Sequence, residues 1–133
     1  MWVISKSGFY SVVQTTDGKV QVRSRSREDL ERLQQFMPEP RAGKILSTPH
    51  ADYPYRIVVM PSVWQYCVSK LAEEIDYPNF KDAVAAIDQD RAQVYSDVWG
   101  TLRAIELDAR RPRLRRDDVD DAFGVLPRRT PRR

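Results

Sequence analysis

Two short stretches of this chain gather side chains that could hold a ligand. Residues 51–56 read "ADYPYR" and offer Asp52, Tyr53, Tyr55 and Arg56 at the entrance to a strand-like run. An arginine flanked by tyrosines can stack on bases or grip a phosphate, and the same residues can equally finish a sheet edge through an Asp–Arg contact and a tyrosine pair. Residues 76–84 read "DYPNFKDAV" and offer Tyr77, Asn79 and Lys81 as a surface for a partner or a small ligand. The structural alternative is a helix start, with Asn79 as N-cap, Asp82 at the positive helix end, and Tyr77 and Phe80 packing the corner.

Enzymatic machinery is not expected. The chain has no G-x-S-x-G elbow, no glycine-rich phosphate loop and no H-x-x-x-H pair, so no catalytic residue, metal ligand set or cofactor is assigned. His50 is the single histidine and reads as a loop residue, and the single cysteine, Cys67, falls on an apolar helical stripe. Glu73 and Asp76 could pair around Mg²⁺ but read as solvated carboxylates near a helix end. An enzyme acting on a small phosphorylated substrate through Asp52, Tyr53, Arg56 and Tyr77 is the weakest of three readings.

Charge points to a partner more directly. From residue 110 onward, "RRPRLRRDDVDDAFGVLPRRTPRR" carries nine arginines (Arg110, Arg111, Arg113, Arg115, Arg116, Arg128, Arg129, Arg132 and Arg133) against four aspartates. The rest of the chain is slightly acidic, so the whole basic excess sits in this extension. Such a tail can neutralise phosphates and release counterions, binding DNA or RNA without sequence preference. Alternatively its aspartates pair with neighbouring arginines while Val119, Phe123 and Leu126 dock on protein.

These residues need elements to position them. With 133 residues, 41% hydrophobic and 31% charged, the chain can close one core, and the expected division is a single domain over 1–109 with an arginine-rich extension over 110–133. "WVIS" and "FYSVVQ" read as one strand bent at Gly8. Asp17 and Gly18 then supply the positive-φ residues of a hairpin turn into "VQVRS". Ser26 and Asp29 have capping-box spacing ahead of Leu30, Leu33, Phe36 and Met37. "KILS" and "YRIVVM" form a second strand pair. Ser62 and Gln65 repeat the box before the stripe Trp64, Cys67, Val68, Leu71 and Ile75. A short helix around Phe80–Ile87 and a longer one from Val94 to Ile105 follow, with "DQDR" as a kink or turn between them.

The resulting order, ββαββα plus a C-terminal helix, predicts an α+β fold: an antiparallel sheet with helices on one face, in a permuted ferredoxin-like layout. The strings "GFYSVVQ", "RSREDLERL", "ADYPYRIVV", "EIDYPNFKDAV" and "DRAQVYSDVW" together resemble a family of small actinobacterial and actinobacteriophage proteins over about residues 1–106. That resemblance implies no activity and no site residue.

The first reading is therefore a small non-enzymatic binding or regulatory protein, plausibly phage-encoded, acting through protein–protein contact or self-association. The second is a nucleic-acid-associated protein using its arginine tail, with a groove along Arg23, Arg25, Arg27 and the tail as its mark. The opening "MWVIS" is not a basic segment leading an apolar one, and no window approaches the roughly 18–20 apolar residues of a spanning helix. The expected location is the cytoplasm, of the host if phage-encoded, with no membrane contact.

Overall fold

The computed structural model describes residues 1–38 and 43–109, with side chains as far as residue 106. The tail arginines, and with them Val119, Phe123 and Leu126, lie outside the described residues. The fold is α+β, a five-stranded antiparallel sheet with four helices: β1 (Trp2–Ser5), β2 (Gly8–Gln14), β3 (Val20–Ser24), α1 (Arg27–Gln34), β4 (Leu46–Ser47), β5 (Tyr55–Val59), α2 (Pro61–Glu73), α3 (Phe80–Ala85) and α4 (Gln89–Ala109). Internal contacts divide the chain into Met1–Ala92 and a second unit that starts at Gln93, within α4.

The sheet order is β1-β2-β3-β5-β4. Its β2-β3-β5-β4 part is the order obtained by moving the last strand of a β-α-β-β-α-β chain to the front. The fifth strand comes from a segment that sequence reasoning takes as one bent strand. Lys6 and Ser7 instead turn the chain back on itself, and β1 pairs with β2 in the register Trp2↔Ser11, Val3↔Tyr10, Ile4↔Phe9 and Ser5↔Gly8. Gly8 opens β2 at a point of close packing. A Cβ there would lie 2.8 Å from Asp29 Cγ and 2.8 Å from Tyr10 Oη, so the sheet presses α1 closely at this point and only glycine fits.

The β2–β3 hairpin forms as expected, but its turn differs. Gly18 alone takes positive φ, at 78°, and no described non-glycine residue does. The Thr15 and Gly18 amides donate to Lys19 O and Thr15 O at 2.9 and 3.0 Å, which is the pattern of a type I turn closed by a left-handed glycine.

Tyr10, Val12, Val22, Ile57 and Val59 line the inner sheet face and meet Leu30 and Leu33 of α1 and Val63, Trp64, Cys67 and Leu71 of α2. Apolar alternation on strands and 3.6-residue recurrence on helices thus bury their stripes in one core. The helix starts need correction. Ser26 is the N-cap of α1 but makes no side-chain cap bond, and Asp29 points into the molecule instead of completing a box. In α2 the N-cap is Met60 with Pro61 at the first position, so Ser62 is already inside the helix. Ile75 lies past the end of α2 and is exposed.

The inward Asp29 is the polar centre of the unit. Its carboxylate accepts from the Phe9 amide (3.0 Å), from Ser24 Oγ (3.4 Å) and from Arg32 Nη2 (2.6 Å). Arg91 adds a two-pronged contact, Nη1 to Oδ2 at 2.9 Å and Nη2 to Oδ1 at 2.8 Å. A carboxylate only 2% exposed is tolerated here because every approach to it is a donor, two of them cationic.

Candidate functional site

The outer face of the sheet, opposite α1 and α2, is where register assembles a site. Side chains alternate along a strand, so the residues facing the core from β3 (Val22, Ser24) leave Gln21 and Arg23 on the other side. Strand pairing then sets one row across the sheet: Trp2 on β1, Ser11 on β2, Arg23 on β3, Arg56 on β5 and Leu46 on β4. Two arginines stand directly opposite each other on neighbouring strands. Like charges in that position repel, and repulsion is tolerated only where something offsets it.

Little within the described residues does so. Arg23 Nη2 donates to Ser11 Oγ at 2.8 Å, a neutral acceptor. The Nε atoms of both Arg23 and Arg56 are buried and have no hydrogen-bond partner among the described residues. Each such donor costs about 1–3 kcal/mol relative to a satisfied one.

Tyr53 organises the charges around it. It reaches the face from the loop 48–54, which is closed by the Thr48 amide on Pro54 O (2.8 Å) and the Ala51 amide on Thr48 O (3.0 Å). Its ring is largely buried, and the guanidinium carbons of Arg23 and Arg25 lie 4.9 and 5.1 Å from its centroid, both in cation–π range. Phe9 lies 6.3 Å away on the same face and meets Trp2 edge-on at 5.7 Å, giving an aromatic row of Tyr53, Phe9 and Trp2. Trp2 is the open end, 69% exposed. Arg25 is paired with Asp52 at 2.9 Å, so three guanidiniums face one carboxylate. An open depression of about 420 Å³ lies among them, lined by Trp2, Ser11, Gln21, Arg23, Arg56 and the loop residues 51–53.

Of the residues singled out in the sequence, the structure therefore brings Asp52, Tyr53 and Arg56 to one place. Tyr55 faces the other way: it pairs with Ser24 and packs against the core. Tyr77, Asn79 and Lys81 belong to a different corner and do not line the depression. There Asn79 Oδ1 accepts the amides of Lys81 (2.9 Å) and Asp82 (3.2 Å), capping α3, and Tyr77 packs on Phe80 at 6.0 Å. The corner is tied to the β1–β2 turn by Lys6 on Asp76 (2.7 Å), Ser7 on Glu74 (2.6 Å) and Lys6 over the Tyr77 ring (5.6 Å). That bond with Lys6 holds the Asp76 carboxyl below its ordinary range and raises the Lys6 ammonium.

Arg27 does not join the outer face; it pairs with Glu31 along α1 at 2.9 Å. His50 is exposed at the tip of the 48–54 loop. Glu73 is held by Lys70 at 2.7 Å, separately from Asp76, and among the described residues no group of three His, Cys, Asp or Glu side chains could hold a metal ion. Cys67 is fully buried, and desolvation pushes its thiol up to about 11, so it is neutral near pH 7 and shielded from attack. A second depression of about 540 Å³ at the start of α2 has one cation, Lys19, already paired with Asp17 at 3.0 Å.

Sequence reasoning missed Trp2, Ser11 and Gln21 as site residues. The alternation of Arg23 and Arg25 with Val22 and Ser24 was a signal for the face, but the row depends on the extra β1–β2 pairing. Among the described residues no helix is long and apolar enough to cross a membrane. Comparison of the chain with family models, with curated proteins and with solved structures gives no match.

Proposed function

We propose that this chain is a nucleic-acid-associated protein that binds a single strand across the outer face of its sheet, with the arginine-rich extension adding sequence-independent affinity. The observation that carries the reading is the opposed pair Arg23 and Arg56, each with a buried Nε lacking a partner. A phosphate seated between the two guanidiniums would cancel their repulsion, which no neutral ligand could do. Trp2, exposed on the same row, supplies the platform on which an unpaired base can stack, worth about 1–3 kcal/mol per base. A duplex keeps its bases stacked inside and cannot use that platform, so the single strand is favoured.

The test is fluorescence anisotropy of a labelled short single-stranded oligonucleotide across a salt series, with a duplex of the same sequence beside it. The full chain should bind the single strand more tightly and with a salt slope of several phosphates. Replacing Arg23 and Arg56 together with alanine should weaken it by about 10-fold or more. A chain ending at Asp108 isolates the share of the tail. If the double variant binds as well as the parent and only the truncation fails, the tail is the anchor and the sheet face is not the site.

Protein–protein contact, including self-association, is a second reading with its own observation. Val94, Trp99, Leu102 and Ile105 of α4 are large apolar side chains that are each more than half exposed. Sedimentation of the full chain tests it, a concentration-dependent dimer being the supporting outcome.

A further inference from the structure

Arg23 and Arg25 share one tyrosine but have different partners. Residues two apart on an extended chain are separated by about 7 Å, comparable to the step between neighbouring phosphates of a stretched single strand. Both guanidiniums lie within 5.1 Å of the Tyr53 centroid, so one ring contacts both. Arg23 donates to a neutral hydroxyl and keeps a buried Nε unmet. Arg25 instead carries the carboxylate of Asp52 at 2.9 Å. Asp52 lines the same depression, ahead of the anchored Tyr53, and its side chain is 74% exposed.

We infer that Asp52 is an internal stand-in for a second phosphate, setting how strongly the site favours a ligand with two adjacent phosphates over one with a single phosphate. The inference rests on the reading of the outer face as a nucleic-acid site. A ligand with one phosphate takes Arg23 and Arg56 and leaves the Arg25–Asp52 pair in place. A strand with a neighbouring phosphate must displace the carboxylate to reach Arg25. The step is an exchange of one anion for another on the same guanidinium, with no covalent bond formed or broken. An ion pair this exposed is weak enough to be exchanged. Asp52 therefore lowers affinity for the longer strand while leaving the first phosphate position untouched.

Asp52→Asn in the full chain tests this, since it keeps the size of the side chain and removes its charge at an exposed position. Binding is measured with a labelled single-stranded oligonucleotide and, by competition, with a nucleoside monophosphate; each variant is compared with the parent, so the tail's contribution cancels. D52N should tighten the oligonucleotide by up to about fivefold and steepen the salt slope by about 0.7, the share of one more phosphate. It should leave the monophosphate unchanged, and the gain should vanish in R25A/D52N compared with R25A. If D52N leaves the oligonucleotide no tighter while R23A/R56A weakens its binding about 10-fold, the role of Asp52 is overturned and the site stands. A gain that survives the loss of Arg25, or that extends equally to the monophosphate, overturns it as a general charge effect. If neither the parent nor D52N binds the oligonucleotide at low salt, the inference falls together with the reading beneath it.

Discussion

The same unit holds two arginine clusters, one on each side of the sheet, and they are solved in opposite ways. On the inner side Arg32 and Arg91 converge on Asp29, a carboxylate 2% exposed that also receives the Phe9 amide and Ser24. On the outer side Arg23 and Arg56 face each other with the Ser11 hydroxyl as the only hydrogen-bond acceptor shown among the described residues and the Tyr53 ring against Arg23, and two buried donors go unmet there. Charge matched inside the chain stabilises the fold; charge left unmatched within the described residues is capacity for something else. What separates the two clusters is whether each buried donor already has an acceptor within the described residues.

The largest effect should come from breaking the matched cluster. Asp29→Ala leaves Arg91, the Phe9 amide and Ser24 without their common acceptor and should cost about 3–5 kcal/mol in urea unfolding. That is a large part of the 5–15 kcal/mol typical of a small protein. Gly8→Ala attacks the same point sterically, since its Cβ would meet Asp29 Cγ and Tyr10 Oη at 2.8 Å, and about 1–3 kcal/mol should be lost.

The unmatched cluster should behave in reverse. Replacing Arg23 and Arg56 together with methionine keeps the length of the side chains and removes two unmet donors. Stability should hold or rise by about 1 kcal/mol while oligonucleotide binding weakens about 10-fold or more. A drop of several kcal/mol would mean that these arginines are structural after all, and the contrast would collapse.

The smallest effect concerns the tie between Lys6 and Asp76. Because the folded Asp76 carboxyl is held below its ordinary value, the tie contributes fully above the ordinary carboxylate range and is lost as pH falls through the lowered value. Comparing melting of the parent and Asp76→Asn from neutral pH down past about 4 should show a small difference that shrinks as the solution is acidified.

The paired behaviour of the two candidate stretches shows what a linear reading can and cannot weigh. "DYPNFKD" and "ADYPYR" look alike as strings, each with a tyrosine, a proline and charge. Asn79 in the first could be recognised as a cap, because capping is a local event between residues two and three apart. In the second, Tyr55 and Arg56 are neighbours in sequence and end on opposite faces, a consequence of strand alternation that the string itself contains. What it lacks is the partner strand. Nothing near Arg56 indicates that Arg23 will stand across from it, and nothing near Trp2 indicates that it will begin the same row.

From sequence alone came the α+β class, the β2–β3 hairpin, the helix over Leu30 and Leu33, and the apolar stripe of α2, because each follows from periodicity or turn chemistry within about ten residues. The separate strand β1 did not. Its turn at Lys6 and Ser7 has no glycine or proline of its own; Gly8 lets the sheet close onto Asp29, and the 74–82 corner grips the turn from far along the chain. Only tertiary structure decided the inward turn of Asp29 and the pairing of Arg23 with Arg56. The arginine pairing depends on strand register, where a slip of one residue would send a strand's side chains to the other face; Asp29, on α1, turns inward toward the Phe9 amide, Arg32 and Arg91, donors that the folded chain brings to it.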